Sequence, residues 1–149
     1  MKFKSHMTRA LAEAHAASER GEVPVGAVVV SPEGKVVAAA GNRTRELSDP
    51  TAHAEVLAIR EACELAGSER LPGYDLYVTL EPCPMCASVI SQTRIARLYY
   101  GASDPKSGGV AQGPRIFSHP QSHHVPEIYD GISADEAEVL LKKFFAERR

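Results

Sequence analysis

Four residues in two short stretches have the types and spacing for metal-assisted hydrolysis. His53 and Glu55 lie in Thr51-Ala52-His53-Ala54-Glu55, and Cys83 and Cys86 lie in Pro82-Cys83-Pro84-Met85-Cys86. Cysteines three apart on the first turn of a helix point to one side, which suits a shared ion. The unpaired N–H groups and partial positive charge of a helix start also favour the thiolates that bind metal. With His53 the set reaches three protein ligands. A structural zinc site normally has four, whereas three leave a position for water, whose pKa bound zinc lowers to roughly 7. Glu55 is not needed as a ligand and is free to take a proton from that water and pass it to a leaving group. The expectation is zinc held by His53, Cys83 and Cys86, with Glu55 as proton shuttle.

Each half alone is weak. A C-x-x-C in a cytosolic chain also serves redox chemistry, and H-x-E is almost uninformative. Together, H-x-E followed by P-C-x-x-C matches the known signature of zinc deaminases acting on nucleobases, the tRNA adenosine deaminases among them.

The rest of the composition is ordinary. With 149 residues and 44% hydrophobic content, the chain is expected to form one domain, 1–149, with a core that needs no disulfides. Three cysteines cannot all pair with one another and two are assigned to metal, so a reducing cytoplasm fits best. No segment resembles a signal peptide, and the apolar runs are too short to span a bilayer. The net charge of −2 and pI near 6.3 give no global sign of nucleic-acid binding, so a polyanion would have to meet a local basic patch.

The positioning elements follow from periodicity. Residues from about Ser5 to Arg20 read as an amphipathic helix stopped by Gly21, with His6 and His15 on its surface. Val25 to Val30 and Lys35 to Ala40 form a hairpin across Ser31-Pro32-Glu33-Gly34, the first strand being apolar enough to be covered on both faces. In the loop that follows, Asn42 offers an amide to a base edge or serves as a left-handed turn residue; local sequence leaves both open. A helix over about Ala52 to Ala66 buries Val56, Ile59 and Cys63 and ends at Gly67. Leu76 to Leu80 is a strand leading into the cysteine helix, whose Met85, Val89 and Ile90 are expected in the core, and Arg97 to Gly101 is the next strand. A polar, glycine-rich loop runs from Gly101 to Gly113. The neighbouring His123 and His124 point to different sides, against a second metal. Ser133 to Glu136 fits a capping box opening a last helix through Val139, Leu140 and Phe144 nearly to Arg149. Its end carries Lys142, Lys143, Arg148 and Arg149, a cluster that the helix dipole also favours.

This order implies a sheet between helix layers, with a parallel right-handed crossover through the cysteine helix. Both metal-binding segments then start helices at one end of that sheet.

Nearly the whole chain resembles the bacterial tRNA-specific adenosine deaminases. The similarity runs through Glu22-Val23-Pro24-Val25-Gly26-Ala27-Val28, Gly41-Asn42-Arg43, both metal stretches with Thr79-Leu80-Glu81 before the second, Tyr100-Gly101-Ala102, and Phe144-Phe145 with Arg148. The resemblance implies a cytidine deaminase-like α/β/α three-layer sandwich with a central mixed sheet, one zinc per subunit and a homodimer. It implies conversion of the wobble adenosine, A34, of an arginine tRNA to inosine, by addition of activated water to adenine C6 and loss of ammonia. The tRNA anticodon stem-loop is then the partner, with neither DNA nor a membrane. By the same resemblance Asn42 and the backbone at Ala54 contact the adenine, Asp104 contacts a ribose 2′-hydroxyl, and Phe145 and Arg148 line the anticodon-loop pocket. RNA readers of this kind gain affinity from unpaired bases, stacking and 2′-hydroxyl contacts rather than from a strongly basic surface. The chain departs from the family's habit at Ala146, where an arginine is frequent, and at His123, where an asparagine is. The alternatives are a deaminase of a free nucleobase or nucleoside, such as guanine or cytosine, and a noncatalytic zinc or RNA-binding module.

Overall fold

The computed structural model describes residues 2–148, with side chains from residue 5 onward. Helix α1 (Lys2–Glu19) precedes the hairpin β1 (Gly26–Val30) and β2 (Val36–Gly41); then come α2 (Ala54–Ala66), β3 (Asp75–Leu80), α3 (Pro84–Thr93), β4 (Arg97–Ala102), β5 (Glu127–Tyr129) and α4 (Ala134–Ala146). The five strands form one sheet in the order β2-β1-β3-β4-β5. The β1 strand is antiparallel to both its neighbours, while β3, β4 and β5 run parallel, so the sheet is mixed as expected.

Strand alternation assigns the two faces. Ala27, Val29, Leu76, Val78, Leu98 and Tyr100 meet Ala54, Ala58, Ile59 and Ala62 of α2 and Ala87 and Ile90 of α3 in the larger core. Val28, Val30 and Tyr77 face the other way, onto Met7 and Ala10 of α1. Every residue of β1 is buried, which explains its unbroken apolar run. Gly26 permits the close approach of α1: a Cβ there would run into the backbone carbonyl of Ala10. On the same face Tyr77, Tyr99 and Tyr129 stack across β3, β4 and β5, with ring centroids 4.3 and 4.9 Å apart.

Several local expectations change. The β5 strand was not expected, because it is three residues long and exposed throughout, without an alternating burial pattern. His6 is half-buried against Tyr77, 5.1 Å between rings, rather than on the surface. Met85, Val89 and Cys63 are only half-buried, Val89 and Cys63 at the edge of the larger core. Ser133 makes no capping box: it sits at φ 57°, ψ 37°, and its side chain makes no cap hydrogen bond. Asp135 and Glu136 in the first turn of α4 offset the helix dipole there. Val139 is 66% exposed, whereas Ala137, Leu140 and Phe144 are buried. The basic cluster is described as far as Arg148; Arg149 lies outside the described residues. No helix among the described residues is long and apolar enough to cross a membrane.

Candidate active site

His53 and Cys83 occupy equivalent places, each the N-cap residue of a helix with extended backbone, at φ −73°, ψ 151° and φ −72°, ψ 171°. Neither side chain caps its own helix. Instead His53 Nδ1 lies 3.6 Å from Cys83 Sγ and 3.5 Å from Cys86 Sγ, and the three ligand atoms all fall within 4.8 Å of one another. Zinc bonds of ~2.3 Å to sulfur and ~2.0 Å to nitrogen, at tetrahedral angles, set sulfur and nitrogen about 3.5 Å apart. The residues present therefore fit a zinc ion in both chemistry and spacing. Among the described residues they are the one group of three His, Cys, Asp or Glu side chains placed to hold a metal.

An N-cap side chain turned away from its helix leaves the helix start to find another acceptor. Asn42 provides it for α2: its Oδ1 accepts the Ala54 N–H at 2.8 Å. Its φ is not in the left-handed region, so the turn alternative falls away. The α3 helix begins with Pro84, which has no N–H to satisfy.

Glu55 is buried one helix position beyond Ala54, at 4% exposure. Burial raises its carboxyl to about 7, with further influences from Cys83, His53 and a hydrogen bond to Cys86. A carboxyl poised near neutrality can both take and return a proton. The Cys86 thiol's hydrogen bond draws Cys83 down to about 4, while the same bond, together with burial, pushes Cys86 up. His53 is raised chiefly by its hydrogen bond to Cys83.

The remaining expected residues gather in a second group. Asp104, Phe145 and Arg148 line an open hollow of about 990 Å³, together with Leu80, Lys142 and Ala146. Phe145 is 49% exposed and meets Phe144 edge-on, and the Arg148 guanidinium stands 3.7 Å over the Phe144 ring. His53, Cys83 and Cys86 do not line this hollow. Glu81, two residues before Cys83, spans the two groups by accepting the Asp104 N–H at 3.0 Å.

Residues 1–102 match the profile of the cytidine and deoxycytidylate deaminase zinc-binding region. The tRNA-specific adenosine deaminase of Agrobacterium fabrum is 59% identical over 143 residues, which cover 96% of this chain and 93% of that one. The chain belongs to the tRNA-specific adenosine deaminase family. A solved structure from a study of A-to-I editing by tRNA:A34 deaminases at the wobble position matches this deaminase with TM-score 0.90 and 59% identity, covering 92% of this chain and 99% of that one. Guanine deaminase from Bacillus subtilis shares the fold more distantly, with TM-score 0.68 and 30% identity over 99% of this chain and 94% of its own.

Two residues of the deaminase carry more of the site than their sequence context suggested. Glu22, 1% exposed, accepts the backbone N–H groups of Arg45 at 3.1 Å and Glu46 at 2.8 Å, fixing the loop after Asn42. Glu81, 2% exposed, does the same for the loop that holds Asp104. The available signal was a lone carboxylate beside an apolar strand and a proline, as in Glu22-Val23-Pro24 and Leu80-Glu81-Pro82. His123 is exposed, and the His124 ring N–H at Nε2 donates to the Ile95 carbonyl at 2.7 Å, so the pair builds no second metal site.

Proposed function

We propose that this deaminase converts the wobble adenosine A34 in the anticodon loop of an arginine tRNA to inosine, with water supplying the new carbonyl oxygen at C6 and the amino group leaving as ammonia. The supporting observation is a three-ligand metal set beside a buried carboxylate outside that set, in a chain 59% identical to a tRNA-specific adenosine deaminase. His53, Cys83 and Cys86 would hold one zinc per subunit, and bound zinc supplies an acidified water as nucleophile. Glu55 takes a proton from the nucleophile, delivers one to the purine ring, and later serves the departing amine. Its burial near neutral pKa suits both directions of transfer.

Asn42 and the first turn of α2 at Ala54 face the base, their mutual hydrogen bond holding the edge in place. Asp104 receives a neighbouring ribose 2′-hydroxyl, while the exposed Phe145 ring and Arg148 take unpaired loop nucleotides in the hollow. We further assign the protein to the cytoplasm as a homodimer, without DNA or membrane partners.

The rival is a free-base deaminase, favoured by the 30% identity to guanine deaminase. Incubation with guanine, cytosine, adenosine and an anticodon stem-loop, with ammonia and inosine measured, separates the two. Inosine from the stem-loop alone is expected; ammonia from guanine would overturn the proposal. Glu55→Ala should keep its zinc and lose about 10²–10⁴-fold in turnover. Wild-type turnover by that variant would remove Glu55 from the proton path.

A further inference from the structure

Resting on the RNA-loop function just proposed, we infer that Glu81 is a positioning residue: it clamps residues 103–112 onto the cysteine end of the metal site and thereby sets affinity for the substrate strand. Glu81 follows the last residue of β3 as a buried carboxylate immediately before Pro82-Cys83, and no cation pairs with it among the described residues. Its partners are neutral donors instead. Oε1 accepts Ser103 Oγ–H at 3.2 Å and Asp104 N–H at 3.0 Å. Oε2 accepts the successive N–H groups of Val110, Ala111 and Gln112 at 3.1, 2.9 and 3.0 Å. Backbone donors converging on one oxygen form an anion nest, here filled by the protein's own carboxylate.

Two glycines let the loop close on this anion. A Cβ on Gly108 would stand 2.7 Å from Glu81 Oε2, and one on Gly109 would stand 2.5 Å from Pro84 N. Gly109 N–H also donates to the Pro82 carbonyl at 2.8 Å. The loop is therefore bonded to both residues that lead into Cys83, Glu81 and Pro82. Within it Asp104 Oδ1 accepts the N–H groups of Lys106 and Ser107 at 3.2 and 3.0 Å, which fixes the carboxylate at the wall of the hollow. Glutamine has the length of Glu81 but only one acceptor oxygen. Its amide hydrogens would face either three backbone N–H groups or the Ser103 and Asp104 donors.

The test uses the zinc-loaded full chain carrying Glu81→Gln. Because hydrogen bonds to a charged group are lost, KM for the anticodon stem-loop should rise about tenfold or more, with kcat within about threefold and zinc content as in wild type. Hydrogen exchange at the amides of Asp104, Val110, Ala111 and Gln112 should quicken about tenfold or more, while α2 amides stay as they were. If Asp104 transmits the effect, Glu81→Gln should add less than about threefold to KM once Asp104→Ala is present. Unchanged loop exchange, or a fall in kcat or zinc content with KM unmoved, would overturn the inference. Ser103→Ala, which removes a single hydrogen bond, should raise KM about two- to threefold if Glu81→Gln does not fold; no change in KM would then count against it. A wild-type enzyme inert on the stem-loop would refute the RNA function, and the exchange experiment would still decide the role of Glu81.

Discussion

Helix α2 opens with His53 and takes its cap from Asn42 in a separate loop, whereas α3 opens with Cys83 and follows it with a proline that requires no cap. Both starts free a side chain for the metal-competent cluster, yet α3 does so with neighbouring residues and α2 depends on a contact twelve residues away. The adjoining loops differ in degree. Glu22 holds the loop beside α2 through two backbone N–H groups, and Glu81 holds the one beside α3 through four, with a serine hydroxyl besides. The comparison shows that a shared ligand geometry does not require a shared way of supporting it.

Removing a ligand should erase the difference between the two starts. His53→Ala and Cys86→Ala should each weaken zinc binding by more than the ~10–100-fold typical of losing an outer-shell partner, as read by competition with a chromogenic chelator. A variant that kept wild-type affinity would show that its residue is not a ligand.

The buried carboxylates on the two sides should respond to pH with opposite sign. Glu55 is raised by burial from the usual 4.5 to about 7, so the metal-free protein has its full stability below pH 4.5 and loses it as pH rises to about 7, where the unfolded state has already released its proton. The decline is roughly 3 kcal/mol over that range, and Glu55→Gln should abolish it in chemical denaturation series. Burial also tends to raise Glu81, but the N–H groups of Asp104, Gln112, Val110 and Ala111 outweigh it and hold the carboxyl below its usual value. Its contribution is present above pH 4.5 and is lost as pH falls through the lowered folded pKa. Glu81→Gln should therefore flatten the acid limb and leave the neutral limb alone.

The smallest effects separate the caps themselves. Asn42→Ala leaves the Ala54 N–H without its acceptor and should cost about 1–2 kcal/mol. Pro84→Ala should cost less than ~1 kcal/mol, mostly by freeing the unfolded chain. Equal losses in thermal unfolding would mean that the two starts are supported alike.

Much of the site was legible because its information is local. The H-x-E and C-x-x-C spacings pick out the three side chains that the fold gathers in a metal-competent cluster and the buried Glu55, the β-branched run at Val25–Val30 marks a strand covered on both faces, and two strands joined through one helix imply a parallel crossover. Local patterns misled where the partner lay elsewhere. Ser133 and Glu136 have capping-box spacing, but a left-handed backbone at Ser133 undoes it. Tyr129 belongs to a strand because Tyr99 stacks on it and β4 pairs with it, not because of the residues beside it.

By itself the sequence determined which side chains of suitable chemistry share a spacing and which helices and strands carry them, since side-chain chemistry and periodic burial are properties of near neighbours. Tertiary structure alone decided that Asn42 caps α2, that Glu22 and Glu81 anchor the two loops, and that Asp104 joins Phe145 and Arg148 around one hollow. Each of those contacts joins residues distant along the chain, and a hydrogen bond of that kind exists only after the sheet and its helices have brought donor and acceptor together.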